Sequence, residues 1–331
     1  MTYEEFKREL YRNILQQEGA RGKEVKLLER GSICADAEVM KAVRYINMSC
    51  RGSEDTVIYE DFIYAAWNNA GVLSMLYWQI RPLYERFKSE GWQSVLPEIA
   101  AKLQTTIEAK EGAAKGDSIY RLGNDRLIVR PINYQRNMME LENCIYWCFG
   151  DVALVLYALI YEGAEDFITM KVGRGTLEKR ELSDDVVLTN ALLNTYAKMP
   201  PRLYHGIDVR YLHEAGEGVF MPGETGTPIE IHTSDKFEGM RGYRLTTTRG
   251  LNGAIALFYP GVKERLAELL GGDYYVGFTS IHEAMIHPLQ HKILGEMKAA
   301  IQRTNAAFSE HEMLSDSVYR YLGARRELVE V

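Results

Sequence analysis

"YRLTTTRGLNGAIALFYPGVKERLAELLGGDYYVGFTSIHEAMIHPLQHKILGEMKAAIQRTNAAF", Tyr243–Phe308, holds the most regular patterning in the chain. "YRLTTT" and "AIALFYP" read as two strands, with "RGLNG" between them as the turn of a β-hairpin. "GVKERLAELLGG" is a short amphipathic helix that Gly271 closes. "YYVGFTS" and "HEAMIH" are two further strands. "LQHKILGEMKAAIQRTNAAF" is a long helix whose Ile293, Met297 and Ile301 recur every four residues. The order ββαββα predicts an α+β fold, a mostly antiparallel sheet with flanking helices.

Three of the seven histidines fall in this stretch. A helical zinc site places two imidazoles one turn apart. His282 and His287 are five residues apart, about 500° around a helix, so they diverge by roughly 140°. In a strand they point to opposite faces. His287 and His291 have helical spacing, but Pro288 marks a helix start between them. No metal site is expected, and no cofactor motif is present. "KVGRGTLEK" lacks the third glycine of a dinucleotide loop, and "GETGTP" lacks the Lys-Ser or Lys-Thr of a P-loop. "HEAGEGVF" offers His213 and Glu214 with no second histidine at a ligand spacing.

Upstream, "RLIVRPINY" reads as a strand and "QRNMMELENCIYWC" as a helix through Met138, Leu141 and Ile145. "DVALVLYALI" and "DFITMKVG" are strands joined by "YEGAED" as a hairpin. The apolar run Cys144–Tyr161 is near the lower limit for a membrane helix. Gly150-Asp151 interrupts it, so it reads as a helix end, a turn and a buried strand. "SDDVVLTNALLNTYAKM" is a helix capped by Ser183, favoured by Asp184 and Asp185 and stopped by Pro200-Pro201. Residues 202–240 read as an irregular, glycine-rich excursion.

Residues 1–112 form an N-terminal, mainly helical region. Phe6, Leu10 and Ile14 make one stripe, and short strands fit "EVKLLER" and "TVIYEDF" around a helical "DAEVMKAVRYI". "EGAAKGDS", 111–118, is the candidate linker, and 119–331 is the α+β domain; the two can pack as one unit.

The 331 residues carry a net charge of −7, a balance with no general attraction for nucleic acid. The N-terminus has no signal-peptide core. Four cysteines, at 34, 50, 144 and 148, form neither a CxxC motif nor a disulfide framework. They read as free thiols, with Cys144 and Cys148 one helical turn apart. The expected location is the cytoplasm, with no membrane span.

Two polar groupings stand out. In "RPINYQRN", Arg130, Asn133, Arg136 and Asn137 surround a strand-to-helix junction. Helix amides and guanidinium forks there can hold an anion. Asp151 follows as a partner for one arginine. The competing reading is that these residues cap the helix and tie it to the sheet. The second grouping is Ser280, His282 and Glu283, with Asn252 nearby if the strands share a sheet. Ser280 and His282 share a strand face and are the candidate catalytic pair, but Glu283 points away, so no local triad forms.

"RPINYQRN", "GDVALVLYALI", "RGLNGAIALFYPGVKERLAELLG", "DYYVGFTSIHEAMIHP" and "EMLSDSVYRYL", with "MTYEEF" and "PLYERFKSEG", together resemble the bacterial family named as domain of unknown function 5688. The resemblance spans most of the chain. It implies a bacterial, cytoplasmic protein, often one of several related copies, and it implies no activity. The family's phrase has Pro-Ser-Ser before Ile-His-Glu, where this chain has Phe278, Thr279 and Ser280. The favoured function is non-catalytic binding or regulation, with a protein partner or a small anionic ligand. The alternative is a hydrolase or transferase whose residues converge from separate segments, so enzymatic activity stays open.

Overall fold

The computed structural model describes residues 1–33, 58, 60–69, 72–115, 123–162, 167–177, 182–206, 217–231, 242–289, 293–307 and 312–331. The chain divides into two compact units, Met1–Lys115 and Gly116–Val331.

In the first unit, α1 (Tyr3–Gln16) opens with a capping box. The Thr2 side chain accepts from the Glu5 amide, and the Glu5 carboxylate accepts from the Thr2 amide. Its apolar stripe, Phe6, Leu10 and Ile14, is fully buried as the spacing requires. β1 (Glu24–Leu28), β2 (Phe62–Asn69) and β3 (Val72–Gln79) form an antiparallel sheet in that order. Among the described residues of this region, the strand over "EVKLLER" is present as β1. α2 (Ile80–Glu90) and α3 (Trp92–Lys115) complete the unit. Phe6 stacks on Trp92 with ring centroids 4.9 Å apart. The first residues of the expected linker, 111–115, belong to the end of α3. The "DAEVMKAVRYI" segment, Cys34, Cys50, His213, Glu214 and His291 lie outside the described residues.

The second unit holds two antiparallel sheets. One contains β4 (Leu127–Asn133), β5 (Tyr146–Phe149), β6 (Val152–Glu162) and β7 (Phe167–Lys171). β6 is central: it pairs β4 along one side, and β5 and then β7 along the other. The other sheet runs β13-β12-β10-β11-β9-β8. Its members are β8 (Pro201–His205), β9 (Tyr243–Thr247), β10 (Tyr274–Ser280), β11 (Glu283–Pro288), β12 (Val318–Leu322) and β13 (Glu327–Glu330). The main core joins Leu154 and Leu156 of the first sheet to Leu245, Val276 and Ile286 of the second. α4 (Asp184–Lys198) adds Leu188 and Ala191, and α5 (Val262–Leu270) adds Val262 and Leu266. Ser183 caps α4 as its sequence predicted, accepting from Val186 N. α6 (Ile293–Ala307) packs Met297 and Ile301 over Val318. The contact passes across Gly277, where a Cβ would come within 2.9 Å of Ile301 Cδ1.

Two elements differ from the sequence reading. "AIALFYP" is not a strand. Gly253–Phe258 is a 3₁₀ helix with every residue buried, so the segment runs β-α-β-β-α from β9 onward, with the 3₁₀ helix between β9 and α5. A run apolar on all sides satisfies a buried helix as well as a buried strand. The helix expected over "QRNMMELENCIYWC" is a 3₁₀ turn, Gln135–Asn137, and one α turn, Met138–Leu141, before β5. Cys144 sits in a bridge opposite Gly173, and Cys148 in β5, so the two thiols are not on one helix. Both are free, Cys144 buried and Cys148 exposed. The apolar run through Tyr161 is β5, a turn and β6. No helix among the described residues is long and apolar enough to cross a membrane.

Candidate functional site

β4 is buried along its length except at Arg130, its one partly exposed residue. Alternation places Arg130 with Ile128 and Ile132 on the sheet face that carries Val155, Tyr157 and Leu159. The side chain lies across β6. Its Cζ sits 4.7 Å from the centre of the Tyr157 ring, a cation–π contact. Nη1 donates to Thr169 Oγ1 on β7 at 2.6 Å, and Nη2 donates to Asn252 Oδ1 at 3.1 Å.

Asn252 follows β9 and adopts the left-handed region, with φ 50° and ψ 29°. Asn tolerates that conformation better than other residues with side chains. The loop must also pass close to β9 and β11. A Cβ on Gly253 would lie 2.0 Å from Thr246 Oγ1 and 2.3 Å from the His282 carbonyl oxygen, so only glycine fits. This bend turns the buried Asn252 two ways at once. Its carboxamide oxygen takes Arg130, and its backbone N–H donates to His282 Nδ1 at 3.1 Å.

His282 lies in the β10–β11 turn. Its carbonyl accepts from Thr246 Oγ1 at 2.8 Å, and its N–H donates to Ser280 Oγ at 3.0 Å. Because Nδ1 is an acceptor, the neutral ring carries its proton on Nε2. Loss of hydration, with the Arg130 guanidinium adding to it, pulls the imidazole down to about 3. His282 is therefore neutral at physiological pH. Among the described residues Arg130 has no carboxylate partner; threonine, asparagine, a tyrosine face and a neutral histidine surround it.

The "RPINYQRN" cluster separates in space. Asn133 is buried, and its Nδ2 donates to the Leu314 carbonyl at 2.9 Å. Its Oδ1 caps Arg136 N at 2.8 Å, and its carbonyl accepts Asn137 Nδ2 at 2.8 Å. The Arg136 guanidinium pairs with Asp316 at 2.8 Å, with the two side chains 28% and 58% exposed. Asp151 does not pair with an arginine. It accepts from the hydroxyls of Tyr319 and Ser315 and from the Asp316 amide. Three of the five residues, Asn133, Arg136 and Asp151, therefore fasten the 312–317 segment to the first sheet, and Asn137 bonds back to Asn133. The single α turn at Met138 is too short to build a helix-end anion site.

The structure places Ser280 and His282 adjacent but does not aim one at the other. The Ser280 hydroxyl takes the His282 backbone amide, while the ring's Nδ1 takes Asn252. Glu283 forms an ion pair with Arg244. His287 is buried in β11 opposite Tyr275, with Nδ1 2.8 Å from the Pro288 carbonyl. Among the described residues no group of three His, Cys, Asp or Glu side chains is placed to hold a metal ion. Sequence reasoning missed Tyr157, Thr169 and Thr246, whose roles depend on strand register and have no local signal.

The model of the group described as "Family of unknown function (DUF5688)" matches residues 69–322. The chain belongs to that family. No curated protein and no solved structure matches the chain. The DUF5688 match takes in β4, the Asn252 loop and the β10–β11 turn, so the whole Arg130 cluster falls within it.

Proposed function

We propose that this DUF5688 protein is a non-catalytic binding or regulatory protein of the bacterial cytoplasm, and that it takes a small anionic ligand at Arg130. One observation carries the reading: Arg130 is a partly buried guanidinium whose partners are all neutral. Withdrawing a charge from water without a counter-charge is costly, and an anion offsets that cost. Thr169 and Asn252 hold the fork in place beforehand, which lowers the ordering cost of binding. The neighbouring imidazole supports binding over acid–base chemistry, since its basic nitrogen is already an acceptor and its basicity is low.

The test is a thermal-shift series in phosphate and sulfate with wild type, Arg130→Gln and Arg136→Ala. Both salts stabilise proteins generally by exclusion, so the variants are the controls. The expected result is a saturable gain in wild type and Arg136→Ala that is lost in Arg130→Gln. An equal, non-saturating gain in all three would refute the reading.

A further inference from the structure

Lys263 differs from the other buried and half-buried lysines among the described residues. Lys7, Lys171 and Lys198 are each held by a carboxylate, and Lys23 and Lys102 donate to the carbonyls of Gly19 and Tyr77. Lys263 is half-buried at the second position of α5. Among the described residues its ammonium makes no ion pair and no hydrogen bond, and its Nζ still reaches solvent.

The surroundings disfavour that charge. The first turn of α5 presents backbone N–H groups that have no partner inside the helix, and Gly261 adds no side-chain cap. The helix dipole opposes a cation at this end. Glu264 follows directly and is the one carboxylate that favours the ammonium. Consecutive helical side chains do not face each other, however, and Glu264 also acts on Tyr274 and Tyr321. Loss of hydration, only partly offset by Glu264, lowers the amine's pKa below the usual lysine value. The proton is therefore held less firmly than on a solvated lysine, and the free amine is a nucleophile.

We infer that Lys263 is a covalent modification site, an amine that takes a small acyl group from an acyl phosphate. The ammonium first gives a proton to water. Nζ then attacks the acyl carbon. The new C–N bond forms, the C–O bond to phosphate breaks, a second proton leaves the nitrogen and inorganic phosphate departs. The resulting amide is neutral, so the step removes the charge that burial and the α5 amides oppose. Methylation would keep that charge. Because α5 lines the main core through Val262 and Leu266, the modification acts on a helix that the fold depends on. The site is separate from Arg130 and does not depend on what binds there.

The experiment treats the folded full chain with acetyl phosphate at pH 8 and follows each lysine by peptide mass spectrometry. A lysine of ordinary pKa is about 0.4% free amine at that pH, so a modest fall multiplies the reactive form several-fold. Lys263 should be acylated about threefold faster than exposed Lys298 or ion-paired Lys26. Its rate should level off at a lower pH than that of Lys26, whose bond to Glu24 raises its pKa. In concentrated urea the three rates should converge. Lys263→Met should melt no lower than wild type, since the ammonium it removes has no partner to lose. Acylation of Lys263 no faster than of Lys298 in the folded chain, or an excess that survives in urea, would overturn the inference. A lower melting temperature in Lys263→Met would also overturn it, because the ammonium would then be a structural group.

Discussion

Lowering the pH from 7 to 5 should cost this protein about 2 kcal/mol of stability through His282 alone. The folded imidazole has its pKa pulled from 6.5 to about 3 by burial and by Arg130. The unfolded chain therefore binds a proton below pH 6.5 that the folded chain refuses. Stability contributed by the neutral ring is fully present above pH 6.5 and is lost as the pH falls from there toward 3. Each pH unit in that window costs about 1.4 kcal/mol, and pH 5 lies 1.5 units into it. His282→Asn isolates this effect, because the carboxamide oxygen can still accept from Asn252 N but does not titrate. Urea denaturation at both pH values should show wild type losing its advantage over the variant by about 2 kcal/mol. Proton spectra of the ring should show no titration between pH 8 and 5. In Arg130→Gln the midpoint should rise yet stay below 6.5, since burial is the larger cause. A wild-type midpoint near 6.5, with a pH-independent gap to His282→Asn, would refute the geometry around Asn252.

Three further outcomes follow from the contacts. Asp151→Ala should cost about 3 kcal/mol in urea denaturation, because it strands the Tyr319 and Ser315 hydroxyls, and Asp151→Asn should cost less; a loss under about 0.5 kcal/mol would mean the 312–317 segment is held otherwise. Arg136→Ala should cost no more than about 1 kcal/mol, since its pair with Asp316 is largely solvated. Alkylation in denaturant followed by intact mass should find all four thiols modified, and alkylation of the folded protein should label exposed Cys148 before buried Cys144.

The sequence was most legible where periodicity and stop signals agreed. Phe6, Leu10 and Ile14 share a face of α1, Ser183 caps α4, and Gly271 closes α5 in the left-handed conformation. "RGLNG" was legible as a turn, but not as one leading into a 3₁₀ helix, because the following run is apolar at every position. The spacing of Met138, Leu141 and Ile145 misled. Met138 is half exposed, while Leu141 and Ile145 are buried in different clusters, so no single helical stripe exists. Arg130 and His282 were both singled out, but in separate groups 152 residues apart. What joins them is one buried asparagine, and that junction depends on tertiary pairing. Glu162, which pairs with Lys198 and Arg249, gave no signal at all, since a register shift between Leu159 and Tyr161 sets its direction and local composition does not encode it.

Crystals of the full chain soaked in sodium selenate, measured at the selenium absorption edge, test the central claim most directly. The account predicts an anomalous peak within hydrogen-bonding distance of the Arg130 guanidinium, beside Thr169 and Asn252, and its loss in Arg130→Gln. Selenate found only at other basic residues such as Arg136, with Arg130 still held by neutral partners alone, would contradict it.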